Sequence, residues 1–472
     1  MADPRFDPVL DRARRFADAW LASLPDRPVG RPVDDDAVLR AGLGAFPEHG
    51  APAEQVLDDL AAALEPGLVA TPGPRYFGFV TGGALPVALG ADWMAAAADQ
   101  NVAARVMSPA ATAVEEVTGA WVLDLLGLPG ECAVGFTTGA QMANVVGLAA
   151  ARHALLAAVG WDVEADGLAG APVPTVVIGA QAHSTILQAL RLLGFGSARA
   201  VRVPADDQGR MRADVLRDLL AAIDGPVLVN AQAGQVDTGA CDPLDAIADV
   251  VAGREHAWLH VDGAFGLWAA ASPARRHLVA GAERADSWTV DAHKWLNVPY
   301  DCGMAIVRDR AALTAAMSTS AAYLPLAGAD PSSRVPESSR RARALPVHAA
   351  LRHLGRVGVA DLVDRCCALA RQAAEEFARH PDLEVLNEVV LNQVLVRPRA
   401  GDARELAAAV ARDGTCWVGT TVWQGRPALR FSVSNWSTTP EDVTRSVAAI
   451  TAITAALGDQ QSPAAGRGAR PC

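Results

Sequence analysis

Only one side chain in this sequence is an aliphatic amine. Lys294 is the sole lysine among 472 residues, and every other basic side chain apart from ten histidines is arginine. A guanidinium stays protonated and does not add to an aldehyde, whereas a primary amine whose pKa is lowered by its surroundings forms a Schiff base. Asp291 lies three residues before the lysine, His293 directly before it and Trp295 directly after it. A second signal lies in AVGFTTGAQMANVVGLAAARHALLAA (133–158), where the small-residue turn TTGAQ opens straight into an apolar helical pattern. Such a junction leaves backbone N–H groups unpaired at the positive end of a helix dipole, which is an anion site, although many such turns are plain N-caps. Two more polar side chains follow β-branched runs: His183 in QAHST, after TVVIGA, and Asp262 in HVDGAFG, after AWLHV. Taken singly, a histidine after a strand is more often a capping or core residue, and a carboxylate beside glycine can simply cap a turn.

In this order, TTGAQMAN, AHST, HVDGAFG and DAHKW resemble the pyridoxal-phosphate (PLP) dependent group II amino-acid decarboxylases, which have the aspartate aminotransferase fold, fold type I. The resemblance covers most of the chain. It implies that Lys294 carries the cofactor as a Schiff base and that Asp262 is the anion against the pyridine nitrogen. An aspartate there raises that nitrogen's pKa by charge pairing and makes the ring an electron sink. It further implies that His183 stacks on the ring and helps to position the substrate carboxylate, and that Asp291 and His293 lie near the phosphate. The phosphate cradle would be the main chain of Ala140 and Gln141 with help from Thr138, since Gln141 stands where the family usually has Ser or Thr. Gln235 stands where the family commonly has a Thr-bearing segment; it can donate to the ring hydroxyl or the substrate, or serve as a polar loop residue.

In the family the stretch matching TPGPRYFGFVTGG (71–83) lines the substrate pocket, which makes Tyr76 and Phe77 the expected contacts, an ordinary loop being the other reading; with Trp423 they hint at an aromatic or apolar substrate. Arg430, in PALRFSV, is placed where the wider fold often has a carboxylate-binding arginine; a surface strand arginine is the other reading. In the family, the loop matching 318–342 closes over the substrate and carries a tyrosine that protonates the carbanion carbon. Here PSSRVPESSR has no tyrosine, which leaves Tyr323, at the start of the loop, as the catalytic candidate. The expected reaction is decarboxylation of an L-amino acid to the amine and CO2. The same cofactor also supports aldehyde-forming oxidative decarboxylation–deamination or an aldol-type Cα–Cβ cleavage. A catalytically silent homologue would be expected to have lost Lys294 or Asp262.

The elements that must position these residues follow from hydrophobic patterning. From residue 175 onward short β-branched runs alternate with helical patterns, which predicts a mostly parallel sheet covered by helices on both faces. Ligands of such sheets sit at the C-terminal strand ends, where His183 and Asp262 fall. We read 1–69 as an N-terminal segment with helices over 5–24 and 36–66, 70–345 as a large PLP-binding domain, 346–458 as a smaller α+β domain, and 459–472 as a tail of disorder-like composition.

Composition narrows the function classes. A net charge of −12 without a basic run disfavours nucleic acid and anionic membranes. The apolar runs are broken by charge or glycine, so no membrane span is expected. Seven cysteines without a CxxC pair point to a reducing, cytoplasmic setting, and no metal site is expected. The family resemblance implies a homodimer with a shared active site and an amino acid as the small-molecule substrate.

Overall fold

Strands buried on both faces need apolar residues at nearly every position, and the runs singled out above form such strands. The structure is a computed structural model that describes residues 5–30, 36–318 and 330–461. It opens with helices α1 (Asp7–Ser23), α2 (Asp36–Leu43) and α3 (Ala53–Leu64). The single helical pattern expected over 36–66 is thus two helices, because Pro47, Gly50 and Pro52 fall between them and proline cannot donate within a helix. Then come β1 (Tyr76–Phe77), α4 (Pro86–Ala98) and α5 (Pro109–Leu126).

The main sheet and its helices follow as β2 (Ala133–Thr137), α6 (Ala140–Ala157), α7 (Val163–Asp166), β3 (Thr175–Gly179), α8 (Ser184–Leu192), β4 (Val201–Val203), α9 (Ala213–Ala221), β5 (Val227–Gln232), α10 (Leu244–Ala252), β6 (Ala257–Asp262), β7 (Ser287–Asp291) and β8 (Gly303–Val307). Their spatial order is β2-β8-β7-β6-β5-β3-β4. Strands β3 to β7 pair in parallel, while β8 runs antiparallel to both of its neighbours. Alternate residues feed two cores: Val176 and Ile178 pack with α6 and α8, and Val177 packs on the opposite side. This is the mostly parallel, doubly covered sheet that the alternation predicts. Gln232, Asp262 and Asp291 are the last residues of β5, β6 and β7, so the parallel sheet gathers three polar side chains along one edge.

Beyond the sheet lie α11 (Arg310–Met317), α12 (Ala344–Ala378), β9 (Leu383–Val385), β10 (Gln393–Pro398), α13 (Ala403–Asp413), β11 (Trp417–Trp423), β12 (Arg426–Ser432) and α14 (Pro440–Gln461). Gly355 interrupts α12 with φ 60°. Strands β9 to β12 form an antiparallel sheet, and β1 joins it in parallel to β11, with Tyr76 opposite Trp417 and Phe77 opposite Val418. Tyr76 and Phe77 are therefore an edge strand of the smaller sheet rather than part of a pocket loop.

Of the long Ser/Pro/Arg loop, residues 330–342 are a packed strap. Arg340 makes a bidentate pair with Glu115 of α5 at 2.6 and 2.7 Å, with both side chains essentially inaccessible to solvent. The Arg334 carbonyl lies 2.6 Å from where a Cβ on Gly135 of β2 would stand. PSSRVPESSR is thus fixed against β2 and α5 and is not a flap over the substrate. Tyr323 lies outside the described residues.

Candidate active site

Lys294, Asp262, His183 and the start of α6 line one cavity of about 430 Å³, together with Asp291, His293, Gln232, Phe79, Val80, Phe265 and Arg430. The cavity sits at the C-terminal edge of the parallel strands. Lys294 follows β7 by three residues, and its Nζ lies 3.1 Å from Asp291 Oδ2. The other oxygen of this buried carboxylate accepts the Ala140 backbone N–H at 2.6 Å. Asp291 therefore ties the amine to the first turn of α6. His293 packs on the same junction, with Nε2 3.5 Å from Asp291 Oδ1. Its Nδ1 accepts the Cys302 N–H, so the neutral ring carries its proton on Nε2. Burial lowers the His293 pKa and favours that neutral form.

Asp262 also lines the cavity. Its Oδ1 accepts the Ala264 N–H at 3.2 Å, and its Oδ2 accepts Asn144 Nδ2 from α6 at 3.3 Å. His183 caps α8. The Thr185 N–H donates to its Nδ1, and Thr185 Oγ1 lies 2.8 Å from the same nitrogen. Because Nδ1 accepts, the neutral imidazole carries its proton on Nε2, and burial lowers its pKa, again favouring the neutral ring. Arg430, on β12, is buried rather than a surface strand residue; it lines the cavity with NH1 3.6 Å from Asp237 Oδ1.

Several expected contacts differ. Phe77 is core, stacked on Phe431 at 3.8 Å, and Tyr76 is stacked on Trp417 at 5.0 Å; neither lines the cavity. Burial pushes the Tyr76 phenol up to about 12. The aromatic and aliphatic lining comes instead from Phe79 and Val80, two residues further on, both with positive φ. Trp423 is buried in a separate small cluster with Leu395 and Ala428. Gln235 does not reach the cavity either. Its Oε1 accepts from the Asp237 and Thr238 N–H groups at 2.7 and 2.8 Å, and its Nε2 donates to Asp237, so its amide is consumed by its own turn. Gln232, at the end of β5, takes the place on the lining. The Ala140 N–H, expected to hold phosphate, is engaged by Asp291.

These side chains suit pyridoxal phosphate. Helix α6 begins after Gly139, and its first intrahelical bond is Ala143 N–H to the Gly139 carbonyl, which leaves the Gln141 and Met142 amides as donors for an anion. Both polar atoms of the Gln141 side chain are buried, and among the described residues neither has a hydrogen-bond partner. Gln141 and Thr138 both line the cavity. Gly303, opposite Thr137 and Asp291 in the sheet, keeps this junction open: a Cβ there would lie 2.5 Å from the Gly139 backbone. The cavity thus brings together anion donors, an amine and a fixed carboxylate.

Sequence reasoning missed Asn144, Thr185, Phe79, Val80 and Gln232. Asn144 and Thr185 stand inside TTGAQMAN and AHST, so the motifs themselves were the available signal.

The pyridoxal-dependent decarboxylase conserved domain matches residues 39–398. L-2,4-diaminobutyrate decarboxylase of Rhizobium meliloti (strain 1021) is 34% identical over 77% of this chain and 74% of that protein. Tryptophan decarboxylase 1 of Oryza sativa subsp. japonica is 31% identical over 90% of this chain and 89% of that protein. The crystal structure of Oryza sativa TDC with PLP and tryptamine superposes with a TM-score of 0.88 at 27% identity, covering 97% of this chain and all of that one.

Proposed function

The chain belongs to the pyridoxal-dependent decarboxylase family and is a PLP-dependent amino-acid decarboxylase of fold type I; from that premise we propose how its own residues divide the work. The observation that carries this reading is the convergence of the only lysine, a buried strand-end carboxylate and a helix N-terminus on one cavity.

Bound pyridoxal phosphate supplies a ring that accepts the electron pair released when the Cα–carboxylate bond breaks. Lys294 is the amine that anchors it, and Asp291 holds that amine in place. Gln141, with the amides of the first turn of α6 and the Thr138 hydroxyl, holds the phosphate. Asp262 provides the anion for the ring nitrogen. His183, neutral and kept in one orientation by Thr185, lines the cavity and holds a proton on Nε2 that it can donate in a hydrogen bond to the substrate carboxylate. Arg430 binds a substrate carboxylate while Asp237 offsets part of its charge. Orientation and electrostatics are the contributions expected of the protein in such a reaction.

Phe79, Val80, Val236 and Phe265 on the lining support an L-amino acid with an apolar or aromatic side chain as substrate. A homodimer is supported by an apolar groove of about 630 Å³ lined by residues including Leu21, Leu24, Trp93 and Trp436, and by exposed Phe6, Leu10 and Met94 beside it in sequence. Among the described residues no helix is long and apolar enough to cross a membrane. The six described cysteines are free and buried, which suits a reducing cytoplasm.

A second reading rests on one observation: among the described residues no tyrosine lines the cavity. Aldehyde would be the product if, after loss of CO2, O2 took up the electron pair and water replaced the amine, so that O2 is reduced to peroxide and ammonia is released. The test is product analysis of the PLP-loaded enzyme with a panel of L-amino acids. Amine equal to the CO2 released supports decarboxylation with reprotonation. Aldehyde, ammonia and peroxide in equal amounts would replace it with the second reading, and no CO2 from any amino acid would refute both.

A further inference from the structure

Behind Asp262 lies a line of buried polar side chains that do not themselves line the cavity. Trp258 Nε1 lies 2.8 Å from Ser287 Oγ, which is 2.8 Å from His260 Nδ1. His260 Nε2 is 2.9 Å from Asn144 Oδ1, and Asn144 Nδ2 is 3.3 Å from Asp262 Oδ2. Asn144, His260 and Ser287 are wholly inaccessible to solvent.

The ends of this line determine its polarity. An indole N–H can only donate, so Ser287 Oγ accepts from Trp258 and has its own proton free for His260 Nδ1. The imidazole is then neutral with its proton on Nε2, and that proton goes to Asn144 Oδ1. The amide is thereby turned so that its NH2 faces Asp262, which as a carboxylate can only accept. With the opposite polarity an amide oxygen would face a carboxylate oxygen inside the protein, leaving both unsatisfied. Helix α6 is shaped for the ring: a Cβ on Gly147, one turn after Asn144, would lie 2.8 Å from His260 Cε1 and 3.0 Å from Nδ1. Only a glycine there admits the histidine.

We propose that Ser287, His260 and Asn144 are positioning residues that act through Asp262: a one-way hydrogen-bond chain, started by Trp258, that holds this carboxylate as an oriented acceptor for the cofactor nitrogen. The proposal rests on the reading of Asp262 given above. His260 is its centre, because the tautomer of that ring decides which end of the Asn144 amide meets the aspartate.

The test is PLP affinity, measured by absorbance titration of the apoenzyme, for His260→Leu, His260→Gln and Asp262→Asn, with the apoenzyme unfolding midpoint of each. The glutamine amide can donate to Asn144 Oδ1 in place of the ring, whereas leucine cannot. We expect His260→Leu to weaken PLP binding at least about tenfold and His260→Gln to stay within about threefold of wild type, whatever both lose in stability. Equal weakening in the two variants, or none in His260→Leu while Asp262→Asn is impaired, would overturn the chain and leave the Asp262 reading intact. An Asp262→Asn variant that binds PLP as wild type would overturn that reading and the proposal with it. Should His260→Leu fail to fold, Ser287→Ala replaces it. Weakened PLP binding supports the chain and unchanged binding overturns it.

Discussion

Adding one methyl group at Gly303 should cripple cofactor binding. Gly303 begins β8 and lies between Thr137 of β2 and Asp291 of β7. In Gly303→Ala the new Cβ would stand 2.5 Å from both the Cα and the carbonyl carbon of Gly139, and 2.8 Å from Asp291 Oδ1. Ordinary contact begins near 3.4 Å, so the turn before α6 and the carboxylate that holds it must separate by roughly 1 Å. The methyl thus wedges open the Asp291–Ala140 hydrogen bond and shifts the amides proposed to hold phosphate. A displacement of that size takes a hydrogen bond of normal length beyond its useful range. Each charge-assisted bond to an anion contributes about 1.5–3 kcal/mol, so losing one or two weakens PLP binding by about 1.5–6 kcal/mol, which is at least about tenfold.

The assay is absorbance titration of the apoenzyme with PLP, beside an unfolding curve. Overpacking alone should lower apoenzyme stability by about 1–3 kcal/mol. Gly458→Ala, at an exposed position near the end of α14 with nothing within 4 Å of the added Cβ, is the control and should leave PLP affinity unchanged. A folded Gly303→Ala protein that binds PLP within threefold of wild type would refute the assignment of this turn as the phosphate cradle.

Two further outcomes follow from buried charges. Arg340→Ala strands Glu115 in a site where both partners are almost fully buried, so the urea midpoint should fall by the equivalent of about 3–5 kcal/mol; a change below 1 kcal/mol would show that the strap is not anchored there. Burial lowers His260 to about 4 from an ordinary 6.5, so between those pH values the unfolded chain holds the extra proton and stability rises with pH. That contribution, roughly 3 kcal/mol at neutral pH, is lost as pH falls through the window. His260→Gln should flatten the slope of urea midpoint against pH between about 4 and 6.5. Asp242, raised to about 6 by burial, has the opposite sign in both proteins and cancels in the comparison; parallel slopes would contradict the account.

The chemistry was legible where a residue type has few alternative uses. A single lysine in an arginine-rich chain, and a carboxylate at the end of a buried strand, both lie on the cavity as expected. The sheet was legible because unbroken apolar runs have few other homes. Partners across the fold were not. Asp291 takes the Ala140 N–H because β7 and α6 meet, which spacing along the chain does not reveal. Gln235 looked available until three local N–H and O–H donors were seen to converge on its Oε1. Tyr76 and Phe77 were misassigned because a two-residue strand carries no periodicity, and its partner β11 lies some 340 residues away. Asn144 and Thr185 bond to Asp262 and His183, so neither is visible until those groups are placed.

The central claim is that Lys294 anchors the cofactor. Its most direct test is borohydride reduction of the PLP-loaded enzyme, followed by proteolysis and mass spectrometry. The account predicts that the peptide containing Lys294, and no other, gains the mass of a phosphopyridoxyl group, and that Lys294→Ala gains none. Modification confined to the N-terminal amine, or a Lys294 peptide of unchanged mass in an enzyme that still releases CO2 from an amino acid, would contradict it.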